Sequence, residues 1–291
     1  MSPARARVRP SAMATAHTVA DLRAALAPWR RRGHQVGMVP TMGALHAGHM
    51  ALVARARAAC DRVVATLFVN PTQFNDKADL ADYPRDTARD AAMFAAAGVD
   101  ILFAPSAAEV YPPGFATTVS VAGLTDCLCG ATRPGHLDGV ATVVAKLLCQ
   151  ALPARAYFGE KDYQQLLVVA RMVRDLNIPT QIVPVPTVRA ADGLALSSRN
   201  FNLSPAERAR APALYATLSA MAARLTNGAD ANKVLEDGRS ALATAGFEPI
   251  DYLDLRDGTT LETLDRAIPG ARLFAAAYLG ETRLIDNLAV E

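Results

Sequence analysis

The most constraining feature of this 291-residue chain is a glycine-bearing turn placed between a strand pattern and a helix pattern. Residues 36–39 form a short apolar run, and residues 50–60 show helical spacing. The segment between them reads Pro-Thr-Met-Gly-Ala-Leu-His-Ala-Gly-His and ends with His46 and His49 where the helix opens. Backbone N–H groups and the helix dipole favour an anion there, and two imidazoles can donate hydrogen bonds to phosphates. The segment therefore predicts a phosphate site in an α/β protein.

Strand and helix patterns alternate from about residue 18 to residue 185. This alternation predicts an α/β, Rossmann-like fold, a mostly parallel sheet with helices on both faces. The predicted strands cover residues 35–39, 62–69, 100–103, 117–121, 154–158 and 181–185. The predicted helices cover residues 18–29, 49–59, 86–97, 139–152 and 164–176.

Three polar segments of this region follow directly after predicted strands. They are residues 46–49, residues 70–73 and residues 159–162. Ligands of parallel α/β sheets bind beyond the carboxyl ends of the strands. We therefore expect the three segments to converge on one binding site.

The pattern changes near residue 188. Residues 188–196 predict a hairpin, and Ser204 is expected to cap a long helix that begins at Pro205. Two helices then precede the strand-like residues 251–255 and 272–279. Helices followed by strands favour a small α+β domain.

These patterns divide the chain into three parts. Residues 1–16 contain several arginines but no apolar signal segment, and we expect a disordered leader outside the fold. A Rossmann-like domain is predicted over residues 17–187. A smaller C-terminal lid domain is predicted over residues 188–291.

Composition narrows the function classes. Hydrophobic residues make up 51% of the chain and charged residues 20%, as in soluble globular proteins. The formal net charge of +2 gives no general electrostatic argument for binding nucleic acid or membranes. The four cysteines lack zinc-site spacing, which favours free thiols in a reducing cytosol. The chain lacks the G-x-x-x-x-G-K-[ST] and G-x-G-x-x-G loops and a Ser-His-Asp pattern, so other residues must handle phosphate.

Two further segments are candidates for phosphate binding. Lys161 lies in Gly-Glu-Lys-Asp, and its mobile ammonium could follow a phosphate. Residues 197–199, Ser-Ser-Arg, could clamp a pyrophosphate. Each segment also has a purely structural interpretation, as a turn with Asp162 as a helix N-cap or as a turn with Asn200 as a cap.

Two neutral amides could contact a carboxylate or a hydroxyl without adding charge. These are Gln73 and Gln165, although a single glutamine is more often a surface residue. Residues 133–136, Arg-Pro-Gly-His, form a basic loop that either approaches an anion or is a solvated turn.

Together these motifs resemble those of the pantoate–β-alanine ligase family, within the H-x-G-H nucleotidyltransferase superfamily. The resemblance begins at about residue 17, and its motifs occur in family order. They are residues 40–49, 68–74, 83–85, 133–144, 158–166 and 196–200.

The resemblance implies a two-step ligation. The carboxylate of pantoate attacks the α-phosphate of ATP, which gives pantoyl adenylate and pyrophosphate. The amine of β-alanine then attacks the acyl carbon, which gives pantothenate and AMP. Mg²⁺ accompanies the phosphates, and the enzyme is expected to be a cytoplasmic homodimer whose smaller domain closes over the site.

The resemblance also implies residue roles. His49, with His46 beside it, takes the acid or charge-stabilising role, and Val188 touches the adenine. Gln73 and Gln165 bind pantoate, and Gln73 also serves the β-alanine step. The remaining expected ATP contacts are Met42, Gly43, Ala44, Leu45, Ala47, Gly48, Gly159, Glu160, Lys161, Asp162, Leu196, Ser197, Ser198 and Arg199. Of these, Lys161, Ser197, Ser198 and Arg199 are expected to take part in catalysis, the last three on a mobile loop.

One departure concerns the metal. Some family members carry acidic and amide residues associated with magnesium after the Tyr-Pro-Arg segment, and residues 86–93 keep only part of that pattern. We therefore expect no protein ligand to the metal, and Mg²⁺ held mainly by phosphate oxygens and water.

Two other functions compete with the ligase. A cytidylyl- or adenylyltransferase would need an arginine-rich pocket for a phosphorylated acceptor, whereas the acceptor positions here are glutamines. A non-catalytic nucleotide-binding protein is disfavoured by the intact His46, His49, Lys161 and Arg199.

Overall fold

A parallel six-stranded sheet forms the N-terminal part of the computed structural model, which describes residues 12–74, 80, 83 and 85–291. Its strands run in the order β1-β4-β3-β2-β5-β6, and every pair is parallel. They are β1 (Ala14–Ala16), β2 (Val36–Val39), β3 (Arg62–Thr66), β4 (Ile101–Phe103), β5 (Arg155–Gly159) and β6 (Gln181–Val185). After β2, the chain adds β3 and β4 on one side of β2, and β5 then pairs with β2 on its other side. The strand order therefore reverses between β2 and β5. That reversal is where an open α/β sheet opens a crevice for a ligand.

Helices cover both faces of this sheet. They are α1 (Val19–Arg31), α2 (Ala47–Ala59), α3 (Thr87–Ala96), α4 (Ala107–Val110), α5 (Cys129–Thr132), α6 (His136–Ala151) and α7 (Tyr163–Asp175). Alternate strand residues enter two different cores: Met38 packs with α1, α6 and α7, whereas Val39 packs with α2 and α3. The α/β fold class expected from the sequence is confirmed.

Two details of this half differ from the sequence prediction. Residues 117–121 form no strand; their backbone is instead tied to α6, where Val119 N–H donates to Thr142 Oγ1 at 2.9 Å. The predicted leader extends too far, because residues 14–16 pair with β4 as an edge strand. A three-residue edge strand of Ala-Thr-Ala is too short to show a hydrophobic alternation, and of its three residues only Ala16 is buried in the core. The earlier part of the predicted leader, residues 1–11, lies outside the described residues.

The C-terminal part packs three helices against an antiparallel sheet. The helices are α8 (Pro205–Arg210), α9 (Ala213–Thr226) and α10 (Ala231–Thr244), and the sheet has the order β7 (Phe247–Asp257), β8 (Ala271–Leu279) and β9 (Thr282–Ala289). Ser204 caps α8 in a capping box with Glu207, as predicted. The long helix expected there ends at Arg210, because Pro212 starts a new helix.

Strand β9 has no counterpart in the sequence prediction. Its apolar residues are interrupted by Asp286 and Asn287, both of which are buried. The predicted hairpin at residues 188–196 is reduced to one bridge, between Arg189 and Ala195. Among the described residues, no helix combines the length and the apolar character that a membrane span requires.

Candidate active site

A cavity of about 330 Å³ opens at the carboxyl ends of β2 and β5, between the parallel sheet and strand β9. This volume suits a small-molecule ligand. The cavity gathers most of the candidate residues from segments far apart in the chain: Met42, His46, Gly48, His49, Gln73, Gly159, Lys161, Asp162, Gln165, Val188, Leu196, Ser197, Ser198 and Arg199. The expected convergence of separate polar segments on one site is therefore observed.

Five residues expected to contact ATP do not line the cavity: Gly43, Ala44, Leu45, Ala47 and Glu160. Ala47 is exposed, and Glu160 is only partly buried. The other three form the buried base of the turn that precedes His46.

The carboxylate of Asp90 on α3 holds the backbone of this turn. It accepts hydrogen bonds from Ala44 N–H at 2.9 Å and from Leu45 N–H at 3.0 Å. Asp90 is only 1% exposed and shares the buried face of α3 with Phe94. Gly43 adopts a φ of +94°, and a Cβ there would lie 2.8 Å from Asp90 Oδ2. Asp90 has no predicted role from the sequence, although an acidic residue four positions before a phenylalanine on the same helix face is a signal for one.

The two histidines cap α2 with their rings. His46 Nδ1 accepts the N–H of Gly48 at 3.1 Å, and His49 Nδ1 accepts the N–H of His46 at 3.3 Å. Each Nδ1 is thus an acceptor, which in a neutral imidazole leaves the proton on Nε2. The rings lie 4.1 Å apart between centroids and both line the cavity. The pair therefore offers two Nε2–H donors to a ligand.

Both imidazoles stay neutral at physiological pH. Burial, followed by the nearby positive charge of Lys161, lowers the pKa of His46 to about 4. Burial, followed by the neighbouring His46, lowers the pKa of His49 to about 3. An anionic ligand between the rings would oppose these shifts, since negative charge favours the protonated form.

Lys161 lies on a short 3₁₀-helix, Glu160–Asp162, that joins β5 to α7. Its ammonium is 3.4 Å from Asp162 Oδ1. Asp162 occupies the N-cap position of α7, as its structural interpretation expected, but its side chain makes no capping hydrogen bond. A Cβ at Gly159 would meet no atom within 4 Å, which leaves the cavity open at the end of β5.

The orientation of the Gln73 amide follows from its neighbours. Asn70 Oδ1 accepts hydroxyl hydrogen bonds from Tyr111 at 2.7 Å and from Thr72 at 2.9 Å. The Asn70 amide nitrogen then donates to Gln73 Oε1 at 3.0 Å and to Gly139 O at 3.1 Å. Since its oxygen is engaged, Gln73 presents its NH₂ group as a donor to the cavity.

The basic loop at residues 133–136 holds the backbone of Gln73. His136 Nδ1 lies 2.7 Å from Gln73 O, and Arg133 Nη2 donates to the same carbonyl at 3.3 Å. Burial, followed by the charge of Arg133, lowers the pKa of His136 to about 4, so its Nδ1–H donates from a neutral ring. The loop is therefore not merely a solvated turn.

The serine-arginine loop reaches the cavity from the hairpin. Leu196 N–H donates to Val188 O at 2.9 Å, and the Leu196 Cβ lies 3.9 Å from a Cβ position built on Gly48. Ser197 caps the 3₁₀-helix Ser198–Asn202 by accepting Arg199 N–H at 3.2 Å. The Asn200 amide donates to Ala195 O at 3.0 Å, so this residue fastens the loop without capping a helix.

The charges around the cavity favour an anionic ligand. Lys161, Arg199 and Arg133 line it, as does Arg283, whose Nε bonds Asp251 at 2.6 Å. Helix α2 adds its N-terminus and the two imidazole donors. A parallel α/β fold with an H-x-G-H helix cap, a lysine after the neighbouring strand and a serine-arginine loop defines a nucleotide-dependent enzyme of the H-x-G-H class.

The comparisons with known proteins identify the family. The family model for pantoate-beta-alanine ligase matches residues 14–289. Pantothenate synthetase of Rhodospirillum rubrum is 55% identical over 280 residues, which cover 96% of this chain and 99% of that protein. Pantothenate synthetase of Cereibacter sphaeroides is 57% identical over 273 residues, which cover 94% and 98%. The chain belongs to the pantoate–β-alanine ligase family, whose enzymes join pantoate and β-alanine in an ATP-dependent ligation.

Solved structures agree with this assignment. Pantothenate synthetase from Thermus thermophilus superimposes with a TM-score of 0.90 at 54% identity, over 96% of this chain and 99% of that one. The pantoate-beta-alanine ligase from Francisella tularensis, complexed with beta-gamma ATP and beta-alanine, superimposes with a TM-score of 0.82 at 35% identity, over 96% and 98%. The ligase reaction expected from the sequence is confirmed at the level of the family.

Proposed function

We propose that both halves of the ligation take place in the cavity at β2 and β5. One observation carries this proposal: the histidine pair, Lys161 and the serine-arginine loop face the same cavity as Gln73 and Gln165. An acyl adenylate has a phosphate end and an acyl end. A cavity lined by both cationic donors and neutral amides can hold the two ends.

In the first half-reaction, the cations and imidazoles stabilise charge on the phosphates of ATP. The Nε2–H groups of His46 and His49 donate to phosphate oxygens, and Lys161 and Arg199 offset the charge that accumulates as the bond between the α- and β-phosphates breaks. The amide NH₂ of Gln73 orients an oxygen of pantoate. Because that amide is neutral, it leaves the charge on the carboxylate that attacks the α-phosphorus.

In the second half-reaction, the amine of β-alanine attacks the acyl carbon of pantoyl adenylate and AMP leaves. The relative from Francisella tularensis is complexed with beta-gamma ATP and beta-alanine, which supports the binding of both substrates by this chain. Gln73, held by Asn70 and His136 from two sides, is proposed to serve this step as well.

Mg²⁺ is proposed to enter with the nucleotide. The part of the chain that the structure describes contains no group of three His, Cys, Asp or Glu side chains able to hold a metal ion. Of the acidic side chains on the cavity wall, Asp286 is engaged by Arg189, and Asp162 lies near Lys161. Phosphate oxygens and water would therefore supply most of the ligands, and the ion would reduce the negative charge on the departing pyrophosphate.

Pyrophosphate exchange tests the proposed mechanism. With ATP, Mg²⁺ and pantoate, labelled pyrophosphate should enter ATP in the absence of β-alanine, because the adenylate forms reversibly. Pantothenate and AMP should appear only when β-alanine is added. Ligation without pantoate-dependent exchange would contradict the adenylate intermediate.

The family resemblance supports a cytoplasmic homodimer, which we include in the proposal. Multi-angle light scattering should then give a mass twice that of the 30.8 kDa chain. A mass of one chain would rule out the dimer and leave the proposed chemistry intact.

A further inference from the structure

We propose that Asn287 of β9 is a positioning residue that holds the backbone of Lys161 and so couples the C-terminal sheet to adenylation. The inference rests on the role proposed above for Lys161 in binding the phosphates of ATP. Asn287 lies 126 positions after Lys161 in the sequence, in the other part of the fold.

The contacts of Asn287 fix the direction of its amide. Its Nδ2 donates to Glu160 O at 2.8 Å and to Lys161 O at 2.9 Å. Its Oδ1 accepts Arg272 Nη1 at 2.5 Å. Since a guanidinium only donates, the amide oxygen must face Arg272 and the NH₂ must face the two carbonyls. Asn287 is only 4% exposed, so water cannot readily replace these bonds.

The segment that Asn287 holds depends on tertiary contacts. Glu160–Asp162 is a single turn of 3₁₀-helix, which lacks the hydrogen-bond ladder of a longer helix. The Lys161 ammonium sits at the end of a long side chain, so a shift of its backbone displaces the charge. Arg272 supports the same junction, because its guanidinium stacks on the ring of Tyr163, 3.8 Å from the centroid.

The preceding residue of β9 holds the other cationic segment. Asp286 forms a two-bond ion pair with Arg189, at 2.6 Å and 2.9 Å, at the base of the hairpin that leads to the serine-arginine loop. Successive side chains of a strand point to opposite faces. Two adjacent residues of β9 can therefore hold two different segments of the proposed phosphate site. Asp286 holds the hairpin that leads to the serine-arginine loop, and Asn287 holds the segment of Lys161.

Asn287→Asp tests the inference with little change in volume. The carboxylate can still accept from Arg272 but places an oxygen against the carbonyls of Glu160 and Lys161. We expect pantoate-dependent pyrophosphate exchange to fall by about 10- to 100-fold, as for a displaced catalytic group. The reaction of supplied pantoyl adenylate with β-alanine should fall much less, since no pyrophosphate leaves in that step. Equal losses in both half-reactions would indicate a general structural defect and overturn the inference.

A double-variant cycle distinguishes coupling from coincidence. If Asn287 acts through Lys161, adding Asn287→Asp to Lys161→Ala should cause no further loss of exchange. Multiplied losses would overturn the inference, as would unimpaired exchange by either single variant. The matched control is Asn227→Asp, at an exposed residue whose Nδ2 also donates to a backbone carbonyl, that of Ala223, at 2.8 Å. Failure of the proposed function would appear separately, as absence of exchange in the unaltered chain.

Discussion

At Gly48, a hydrogen atom in place of a side chain lets the ring of His46 lie against the start of α2. A Cβ built at this position would come 2.8 Å from His46 Cε1 and 2.9 Å from His46 Nδ1. The glycine of H-x-G-H is therefore required by the histidine two positions before it. The motif is a helix cap as well as the proposed set of phosphate ligands, and the cap explains why the spacing of its residues is restricted.

Gly48→Ala should therefore impair catalysis without unfolding the chain. The added methyl displaces the His46 ring and its Nε2–H donor, so pyrophosphate exchange should fall by about 100-fold, as for loss of one transition-state donor. Circular dichroism should be unchanged. Ala54→Ser, at an exposed position of the same helix, is the control and should keep wild-type exchange. Near-normal exchange by Gly48→Ala would show that the ring position is unimportant.

At the scale of elements, α3 supports the turn that precedes α2. The two elements are linked through the Asp90 carboxylate, which satisfies two buried N–H groups that no strand or helix satisfies. This link sets where the histidine pair sits relative to the sheet, although Asp90 itself does not line the cavity.

Asp90→Asn should destabilise the chain. An amide can accept one of the two N–H groups through Oδ1 but presents its own NH₂ to the other, which leaves a buried donor unpaired. The expected loss is about 1–3 kcal/mol of the free energy of unfolding, measured by urea denaturation. Asp86→Asn at the N-cap of the same helix should be nearly neutral, because asparagine can also accept the Arg89 N–H that the native side chain caps. Equal stabilities for the two variants would contradict the role of Asp90.

At the scale of the whole molecule, the cavity lies between the two parts of the fold, each with its own buried residues. Two sets of buried residues pack on the two faces of the parallel sheet, and a third packs between α9, α10 and the antiparallel sheet. Lys161 belongs to the first part, whereas Asp286 and Asn287 lie on β9 of the second part. Asn287 bonds the backbone of Lys161, and Asp286 bonds Arg189 of the hairpin. A ligand in the cavity would therefore contact both parts, as the expected closure of the smaller domain over the site requires.

Binding of MgATP should consequently stabilise the entire chain. At a concentration about 100 times its Kd, the nucleotide should add about 2.7 kcal/mol to the free energy of unfolding and raise the Tm. The same MgATP concentration should raise the Tm of Lys161→Ala much less, because a phosphate contact is lost. Equal shifts for the two proteins would mean that Lys161 does not bind the nucleotide.

Much of the fold and of the candidate site could be predicted from the sequence. Strands and helices of the parallel sheet alternate in hydrophobic pattern, and polar residues directly after β2 and β5 fall at the ligand-binding edge in any such sheet. The exceptions are elements with weak patterns. Strand β1 is three residues long at an edge, and β9 carries two buried polar residues that break its apolar pattern.

The sequence by itself determined the class of fold, the edge of the sheet at which the candidate site lies, and the cationic and imidazole groups that face the cavity there, because these follow from local periodicity and from motifs contiguous in the chain. Only the tertiary structure decided how those groups are held. Asp90 reaches its turn across 45 and 46 positions, and Asn287 reaches Lys161 across 126. A single polar residue in an apolar pattern does not say where its partner lies. Its role appears only when folding buries it and leaves one distant set of backbone groups to satisfy.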